Sequence, residues 1–246
     1  MSAPRRIVIA GEDRAVAAAA CERAGLQVVR RDADLVLCHG GDGTLLRAAR
    51  DWPGLPKLPV RVASRNQLCP DHQLDGVLAR LQRGELPRTE LDLLELRLGG
   101  RRFLAINDVV LRNESPATAL RFRVHADGHD SGEVTGDGLV FATPFGSTGY
   151  FRSITRRRVE TGLGVAFNNS TDVRSPLVLD GDEPIEVEVL RGPAVLVHDN
   201  DARTVLLRDG QRFRVRCSGE HEVVLGLDAL CCQRCRKQDG SRFNAH

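Results

Sequence analysis

The sequence predicts an α/β chain in two parts: an open, mostly parallel α/β unit, then a β-rich one. Three observations predict it. From Arg6 to about Gly84, short continuous apolar runs alternate with helical patterns, the rhythm of a parallel sheet carrying helices. From Leu91 onward, short strands are separated by Gly-Gly and Asp-Gly pairs, the pattern of antiparallel hairpins. Between them, at Leu86-Pro87, the helical signal stops. The expected domains are 1–88 and 89–228, with 229–246 as a tail that could pack back on the first.

The elements follow in order. Arg6 to Ala10 is short, continuous and β-branched, as a buried parallel strand is. Ala15 to Ala24 is an alanine-rich helix closed by Gly25. Leu26 to Val29 and Ala33 to Cys38 read as strands, and Leu45 to Arg50 as a helix. Trp52 to Pro56 is a loop, and Val60 to Ala63 a fourth strand. Leu74, Val77, Leu78 and Leu81 have the spacing of one helix face. Leu91 to Leu98, Gly99-Gly100 and Arg102 to Ala105 form a hairpin. Further strands are expected at Val109–Leu111, Leu120–Val124, Leu139–Thr143, Ile185–Leu190, Ala194–Val197, Val205–Leu207, Phe213–Cys217 and Val223–Leu225.

Composition narrows the functions. The 246 residues carry a formal charge of +2, with 41% apolar and 28% charged residues, the balance of a soluble globular protein. Such a charge makes no case for nucleic acid as the main partner. No apolar run reaches the length of a membrane span, and Ile7 to Ala10 is too short for the core of a signal peptide. The seven cysteines are odd in number and mostly scattered, so a reducing cytoplasm is expected rather than a disulfide framework. The only lysines are Lys57 and Lys237, so any cationic grip on phosphate must come mostly from arginine, amides or a metal.

Four segments could carry chemistry. Gly40-Gly41-Asp42-Gly43-Thr44 follows a hydrophobic strand and opens a helix, where backbone N–H groups can hold phosphate. Asp42 is out of place in a phosphate cradle unless it holds a divalent cation or takes a proton from a hydroxyl. The same residues also suit a tight turn with a capping aspartate. Asn107-Asp108, alone, is a strand-end pair, and Gly136-Asp137-Gly138 could be a hairpin turn. Thr143-Pro144-Phe145-Gly146-Ser147-Thr148-Gly149-Tyr150 ends a buried strand in Pro and Gly, then presents three hydroxyls, of Ser147, Thr148 and Tyr150, in a short space. It suits either a polar ligand or a structural loop. A helix could start at Ser147 or Thr148. Tyr150, the only tyrosine, could stack on a flat ring or fill core.

Taken together, in this order and spacing, these segments resemble the NAD kinase family. The first motif is shared with diacylglycerol and sphingosine kinases and with phosphofructokinases; the hydroxyl loop is the more specific part. The resemblance spans roughly Ile7 to Leu227. It implies a Rossmann-like first domain and a β-rich second one. It implies transfer of a phosphoryl group to the 2′-hydroxyl of the adenosine ribose of NAD, giving NADP. Mg²⁺ or another divalent cation would be the cofactor, with ATP or polyphosphate as donor. Asp42 would be the catalytic proton acceptor. Gly41, Gly43 and Thr44 would hold phosphate. Asn107 and Asp108 would bind NAD, with Asp108 where glutamate is usual, and Asp137 would lie near the nicotinamide end. Thr148, Gly149, Tyr150 and Ser153 would line the rest of the dinucleotide pocket. A homo-oligomer, dimer or tetramer, is implied too.

The residues agree with that role. A ribose hydroxyl is a poor nucleophile, and phosphoryl transfer is mostly positioning and charge neutralisation with a carboxylate at the hydroxyl. There is no G-x-x-x-x-G-K-[ST] and no G-x-G-x-x-G, so a P-loop enzyme and a dehydrogenase find no support. Two alternatives stand beside the kinase: a related kinase acting on another hydroxyl, and an NAD-binding sensor without turnover. The sequence departs from the family at Ala63 to Leu68, where a glycine-rich apolar segment is usual. It departs again at Arg156-Arg157-Arg158, which could grip phosphates or the pyrophosphate but is more often a solvated surface. Val197-His198-Asp199-Asn200-Asp201 stands where an Asp-Gly turn is usual; its acids could face the pocket from a neighbouring subunit or form only a hairpin turn, the reading favoured. Cys231-Cys232-Gln233-Arg234-Cys235 has one C-x-x-C and no second pair, so free thiols are expected rather than a metal.

Overall fold

The computed structural model describes residues 4–62 and 72–227. The altered segment after the fourth strand, the C-terminal cysteines and the tail 229–246 lie outside them. Two compact units divide the chain. One comprises the residues up to Glu90 together with those from Glu222; the other is Leu91–His221.

The first unit is a parallel sheet built by β1 (Arg6–Gly11), β2 (Gln27–Val28), β3 (Leu35–His39) and β4 (Lys57–Val60). Its helices are α1 (Arg14–Arg23), α2 (Asp42–Asp51) and α3 (Leu74–Gln82). β1 pairs with β2 on one side and β3 on the other, and β3 pairs with β4, all parallel. Alternate side chains on a strand point to opposite faces. Ile7, Ile9, Leu35 and Leu37 pack with Ala17, Ala20, Val77 and Leu78 of α1 and α3. The other parity, Val8, Ala10, Val36 and Cys38, is buried on the opposite face, and α2 packs against β1, β3 and β4. Both faces are therefore covered, which is why these strands read as unbroken apolar runs.

The fourth strand was expected at Val60–Ala63 and lies at Lys57–Val60 instead. The reason is Lys57. A lysine argues against a buried strand, yet this one is fully buried because its ammonium is partnered. Nζ donates to Glu222 Oε1 at 2.6 Å and to the Trp52 carbonyl at 2.7 Å. Burial pulls the Lys57 pKa down and pushes the Glu222 pKa up, while the hydrogen bond between them opposes both shifts. The same contact explains a second difference. The second domain was expected to run to 228, but the chain from Glu222 belongs with the first unit. Val224 pairs with Lys57 in parallel register there, and the Gly226 N–H bonds the Pro87 carbonyl.

The second unit contains β5 (Arg88–Leu98, from Leu91 on), β6 (Arg101–Ala105), β7 (Asp108–Asn113) and β8 (Leu120–Ala126). After these come β9 (His129–Asp130), β10 (Val134–Gly136) and β11 (Gly138–Ala142). A 3₁₀ turn (Gly146–Thr148) and a short helix, α4 (Tyr150–Thr155), follow. β12 (Leu163–Asn168), β13 (Leu177–Leu179), β14 (Ile185–Arg191), β15 (Ala194–His198), β16 (Val205–Leu207) and β17 (Arg212–Leu225) complete it. A six-stranded sheet runs in the order β13-β12-β11-β7-β15-β16. A second antiparallel set joins β10 and β9 to β8, β8 to β14 and β14 to β17. Val109, Leu111, Phe141 and Val165 of the first sheet share one core with Phe122, Val187, Phe213 and Val215 of the second. This is a sandwich.

The β5–β6 hairpin closes as expected, with Leu98 opposite Arg101 and both Gly99 and Gly100 at positive φ, as a two-residue primed turn requires. The two late strands expected at Phe213–Cys217 and Val223–Leu225 are one strand. Gly219 sits at φ 74° and the Glu220 N–H bonds the Ser218 hydroxyl, so the chain kinks there without leaving the sheet. β9, β10, β12 and β13 were not anticipated. Glu95 of β5 is nearly fully buried beneath three arginines, Arg97, Arg102 and Arg216. Hydrogen bonds from these, Arg97 first and against the cost of burial, hold its carboxyl down to about 2. Among the described residues no helix is long and apolar enough to cross a membrane, and Cys21, Cys38 and Cys217 are free thiols.

Breaking the Lys57–Glu222 pair tests the account of β4. Lys57→Met leaves a buried carboxylate alone and is expected to cost about 3–5 kcal/mol in urea unfolding. Lys57→Met with Glu222→Leu should recover most of that loss, because an apolar pair needs no partner. A double variant no more stable than the single would contradict this view of the strand.

Candidate functional site

In the first unit, Gly40-Gly41-Asp42-Gly43-Thr44 links β3 to α2. Gly40 is required by close approach, since a Cβ there would meet the Thr44 hydroxyl oxygen at 2.3 Å. Gly41 and Gly43 face open space, so at these two positions the main chain is bare toward a ligand. Gly41 is the N-cap and supplies no side-chain hydrogen bond to the helix. Asp42 is the first helical residue, not the cap. Its side chain is exposed, with Oδ1 3.5 Å from an Arg61 guanidinium nitrogen. An exposed pair of this kind is weak and opens readily. Thr44 is buried and its N–H returns to the Gly41 carbonyl. The turn thus presents one carboxylate and bare backbone at the positive end of a helix.

In the second unit, Asn107-Asp108 opens β7 and is held by a residue read from the sequence as part of a turn. The buried Asp199 carboxylate accepts backbone N–H groups of Ile106 at 2.7 Å, Asn107 at 2.7 Å and Asp108 at 3.2 Å. Asp199 and Asn200 both have positive φ, so the segment is indeed a turn. Its carboxylate, however, points back to fix the neighbouring strand entry. The Thr143 hydroxyl adds a second clamp, donating to the Ile106 carbonyl at 2.7 Å and accepting the Gly146 N–H at 3.0 Å. Asp108 is buried, and Asn107 Nδ2 donates to its Oδ2 at 3.0 Å. Burial first, and the Asp199 charge second, push the Asp108 carboxyl up to about 7, with the Asn107 hydrogen bond opposing them.

The hydroxyl loop folds onto Asn107. A Cβ on Gly146 would lie 1.8 Å from the Asn107 carbonyl oxygen, so only glycine allows the loop to seat there. Ser147 is fully buried; its hydroxyl donates to the Pro144 carbonyl and accepts the Val159 N–H. It is structural. The helix expected at Ser147 or Thr148 is split into a 3₁₀ turn and α4, with Gly149 between them at φ −97°, ψ −117°. Gly164 of β12 makes room for Phe151 of α4, since a Cβ there would lie 2.8 Å from its ring. Tyr150 is partly exposed and its hydroxyl accepts from Asn168 Nδ2 at 3.0 Å, so it does not fill core. Thr148, Gly149 and Ser153 line a cavity of about 340 Å³.

Gly136-Asp137-Gly138 is not a hairpin turn. β10 pairs with β8 and β11 pairs with β7 and β12, so Asp137 is where the chain changes sheets. Gly138 needs its φ of 144°, because a Cβ would lie 1.9 Å from the Leu111 carbonyl oxygen. The Asp137 carboxylate accepts from Asn169 Nδ2 at 3.0 Å. Asp199 and Asn168 were missed as site-building residues, and Thr143 was read as part of the hydroxyl loop without its clamp on Ile106. Asp199 had a signal, an acid beside Asn in a short turn, but nothing in the sequence says which strand it reaches. The Arg156 to Arg158 run is exposed.

The fold is shared with solved NAD kinases. The solved structure of an NAD kinase from Archaeoglobus fulgidus in complex with ATP matches 96% of this chain and 97% of its own, with a TM-score of 0.74 at 18% identity. Sequence relatives make the assignment specific. An NAD kinase of Gemmatimonas aurantiaca is 33% identical over 210 residues, 79% of this chain and 72% of the relative. One from Hydrogenovibrio crunogenus is 34% identical over 225 residues, 83% and 74%. Residues 106–226 match the ATP-NAD kinase C-terminal domain. The chain belongs to the NAD kinase family.

The raised Asp108 carboxyl predicts a pH signature. Unfolded, an aspartate ionises near 3.9; folded, this one does so at about 7. Between those values the native state holds the extra proton, so its contribution to stability is full below about 4 and is lost as pH rises through 7. Asp108→Asn should therefore gain in melting temperature relative to the unaltered chain between pH 4.5 and 8, by an amount worth about 1–3 kcal/mol. A difference that is the same at every pH would show that Asp108 ionises normally.

Proposed function

We propose that this chain is an NAD kinase, transferring the terminal phosphoryl group of ATP to the 2′-hydroxyl of the adenosine ribose of NAD and giving NADP. The observation that carries the reading is its membership of that family through relatives each named NAD kinase. The chemistry of the glycine turn is compatible with it. Asp42 orients the hydroxyl and takes its proton as the new P–O bond forms. The bond from the terminal phosphorus to the bridging oxygen breaks, and ADP leaves. Gly41, Gly43 and Thr44 hold phosphate at the start of α2. Asn107, Asp108, Asp137, Thr148, Gly149, Tyr150 and Ser153 bind the dinucleotide.

Among the described residues no three acids, histidines or cysteines cluster as a resident metal site would require. The proposed ion is Mg²⁺ or a similar cation held on the donor's phosphates, since magnesium keeps much of its coordination to phosphate and water. Asp42 is the carboxylate able to add one oxygen to it. When bound, such an ion would supply charge neutralisation on the phosphates. ATP is taken as the donor, polyphosphate being the alternative, and a cytoplasmic homo-oligomer is the proposed setting.

Incubation with ATP, Mg²⁺ and NAD, coupled to an NADP-specific dehydrogenase, tests this directly. NADP should form, and Asp42→Asn should lower kcat by about 10²- to 10⁴-fold while leaving the KM for NAD within a few-fold. NAD binding with no NADP from the unaltered chain would make it a dinucleotide sensor. Failure of both would point to another hydroxyl acceptor.

A further inference from the structure

α4 ends at Arg156, whose φ of 60° is a conformation that favours glycine. Its N–H closes on the Arg152 carbonyl at 2.9 Å. Arg152 and Arg156 both line the cavity of about 340 Å³ beside Thr148, Gly149 and Ser153. Every charged residue in that lining is cationic. Several other surface arginines are paired: Arg83 with Glu85, Arg212 with Glu186 and Glu188, Arg214 with Glu186. Among the described residues Arg152 and Arg156 form no ion pair. The hydroxyl protons of Thr148 and Ser153 go to the carbonyls of Phe145 and Tyr150. The donors left to meet an anion are the two guanidinium forks, whose geometry matches phosphate oxygens.

We infer that Arg152 and Arg156 form a phosphate subsite at the hydroxyl loop, taking a phosphate of the dinucleotide or of the nucleotide donor. This rests on reading Thr148, Gly149 and Ser153 as dinucleotide contacts. It gives the first arginine of the run a task and leaves the other two as surface. Arg157 and Arg158 are exposed and do not line the cavity. Since the cavity is open, its grip should weaken as ionic strength rises.

The test compares the full chain with Arg152→Ala/Arg156→Ala, its Lys/Lys counterpart, and Arg157→Ala/Arg158→Ala. Binding of inorganic tripolyphosphate, NAD and ATP is measured by calorimetry, and KM and kcat by NADP formation. The Ala/Ala variant should bind tripolyphosphate about ten- to a hundredfold more weakly, Lys/Lys should recover part of that, and the neighbouring pair should change little. A matching rise in the KM for NAD alone assigns the subsite to the dinucleotide; a rise for ATP alone assigns it to the donor. In either case kcat stays within about threefold, as expected when a ground-state contact is removed. Should the unaltered chain make no NADP, the tripolyphosphate arm still decides: affinity lost in Ala/Ala upholds the subsite without the kinase reading. Absent tripolyphosphate binding, equal binding by all variants, or an equal loss in Arg157→Ala/Arg158→Ala overturns it.

Discussion

The second unit depends on one buried carboxylate. Asp199 collects three successive backbone N–H groups at Ile106, Asn107 and Asp108. Buried N–H groups without partners are costly, and a strand entry with no ladder at its first residues would have three. Charge-assisted bonds from one side chain satisfy all three and fix the direction in which Asn107 and Asp108 leave the sheet. The hydroxyl loop then takes its position from the same point. Thr143 bonds the Ile106 carbonyl, and Gly146 lies against the Asn107 carbonyl. Two segments far apart in sequence acquire fixed geometry because a third residue, in a turn, holds the first of them.

This also separates what the sequence discloses from what it conceals. The parallel strands of the first unit are legible because both of their faces are apolar, and α1 and α3 because their apolar spacing is helical. The hairpin at Gly99-Gly100 is legible because its turn chemistry is local. β4 misleads, since its buried lysine is satisfied by Glu222, which is remote in sequence. β12 was missed although every residue but its last is buried; its Gly164 and Ala166 weaken the β signal, and its glycine exists to admit Phe151. Candidate site residues were visible as types and order. Their supports were not, because Asp199 and Asn168 act through contacts that no local pattern encodes.

Asp137 shows how a local rule can point the wrong way. Gly-Asp-Gly between two apolar runs is a turn signal, and hydrogen bonding within one sheet would make it a hairpin. The flanking strands instead belong to different sheets, and Gly138 adopts φ 144° against the Leu111 carbonyl. The acid is therefore carried on a sheet-to-sheet crossing. That crossing is fixed on both sides by strand pairing, with Asn169 bonding the carboxylate itself. A side chain on such a crossing is better positioned than one on a free hairpin tip, which suits a recognition role.

The two acids Asp42 and Asp108 occupy opposite environments, and the contrast bears on their roles in the proposed reaction. A group that accepts a proton from a ribose hydroxyl must be reachable by substrate and must not be locked into the fold. Asp42 meets both conditions: its side chain is exposed and its ion pair among the described residues, to Arg61, is long and solvated. Asp108 meets neither. It is buried, bonded by Asn107, and holds its proton up to about pH 7 beside Asp199. A carboxyl kept partly protonated near neutrality can donate as well as accept a hydrogen bond, which serves recognition of a polar group. Environment, more than residue type, thus separates a base from a binding residue. The short Asp108 side chain holds its carboxyl close to the backbone that Asp199 clamps.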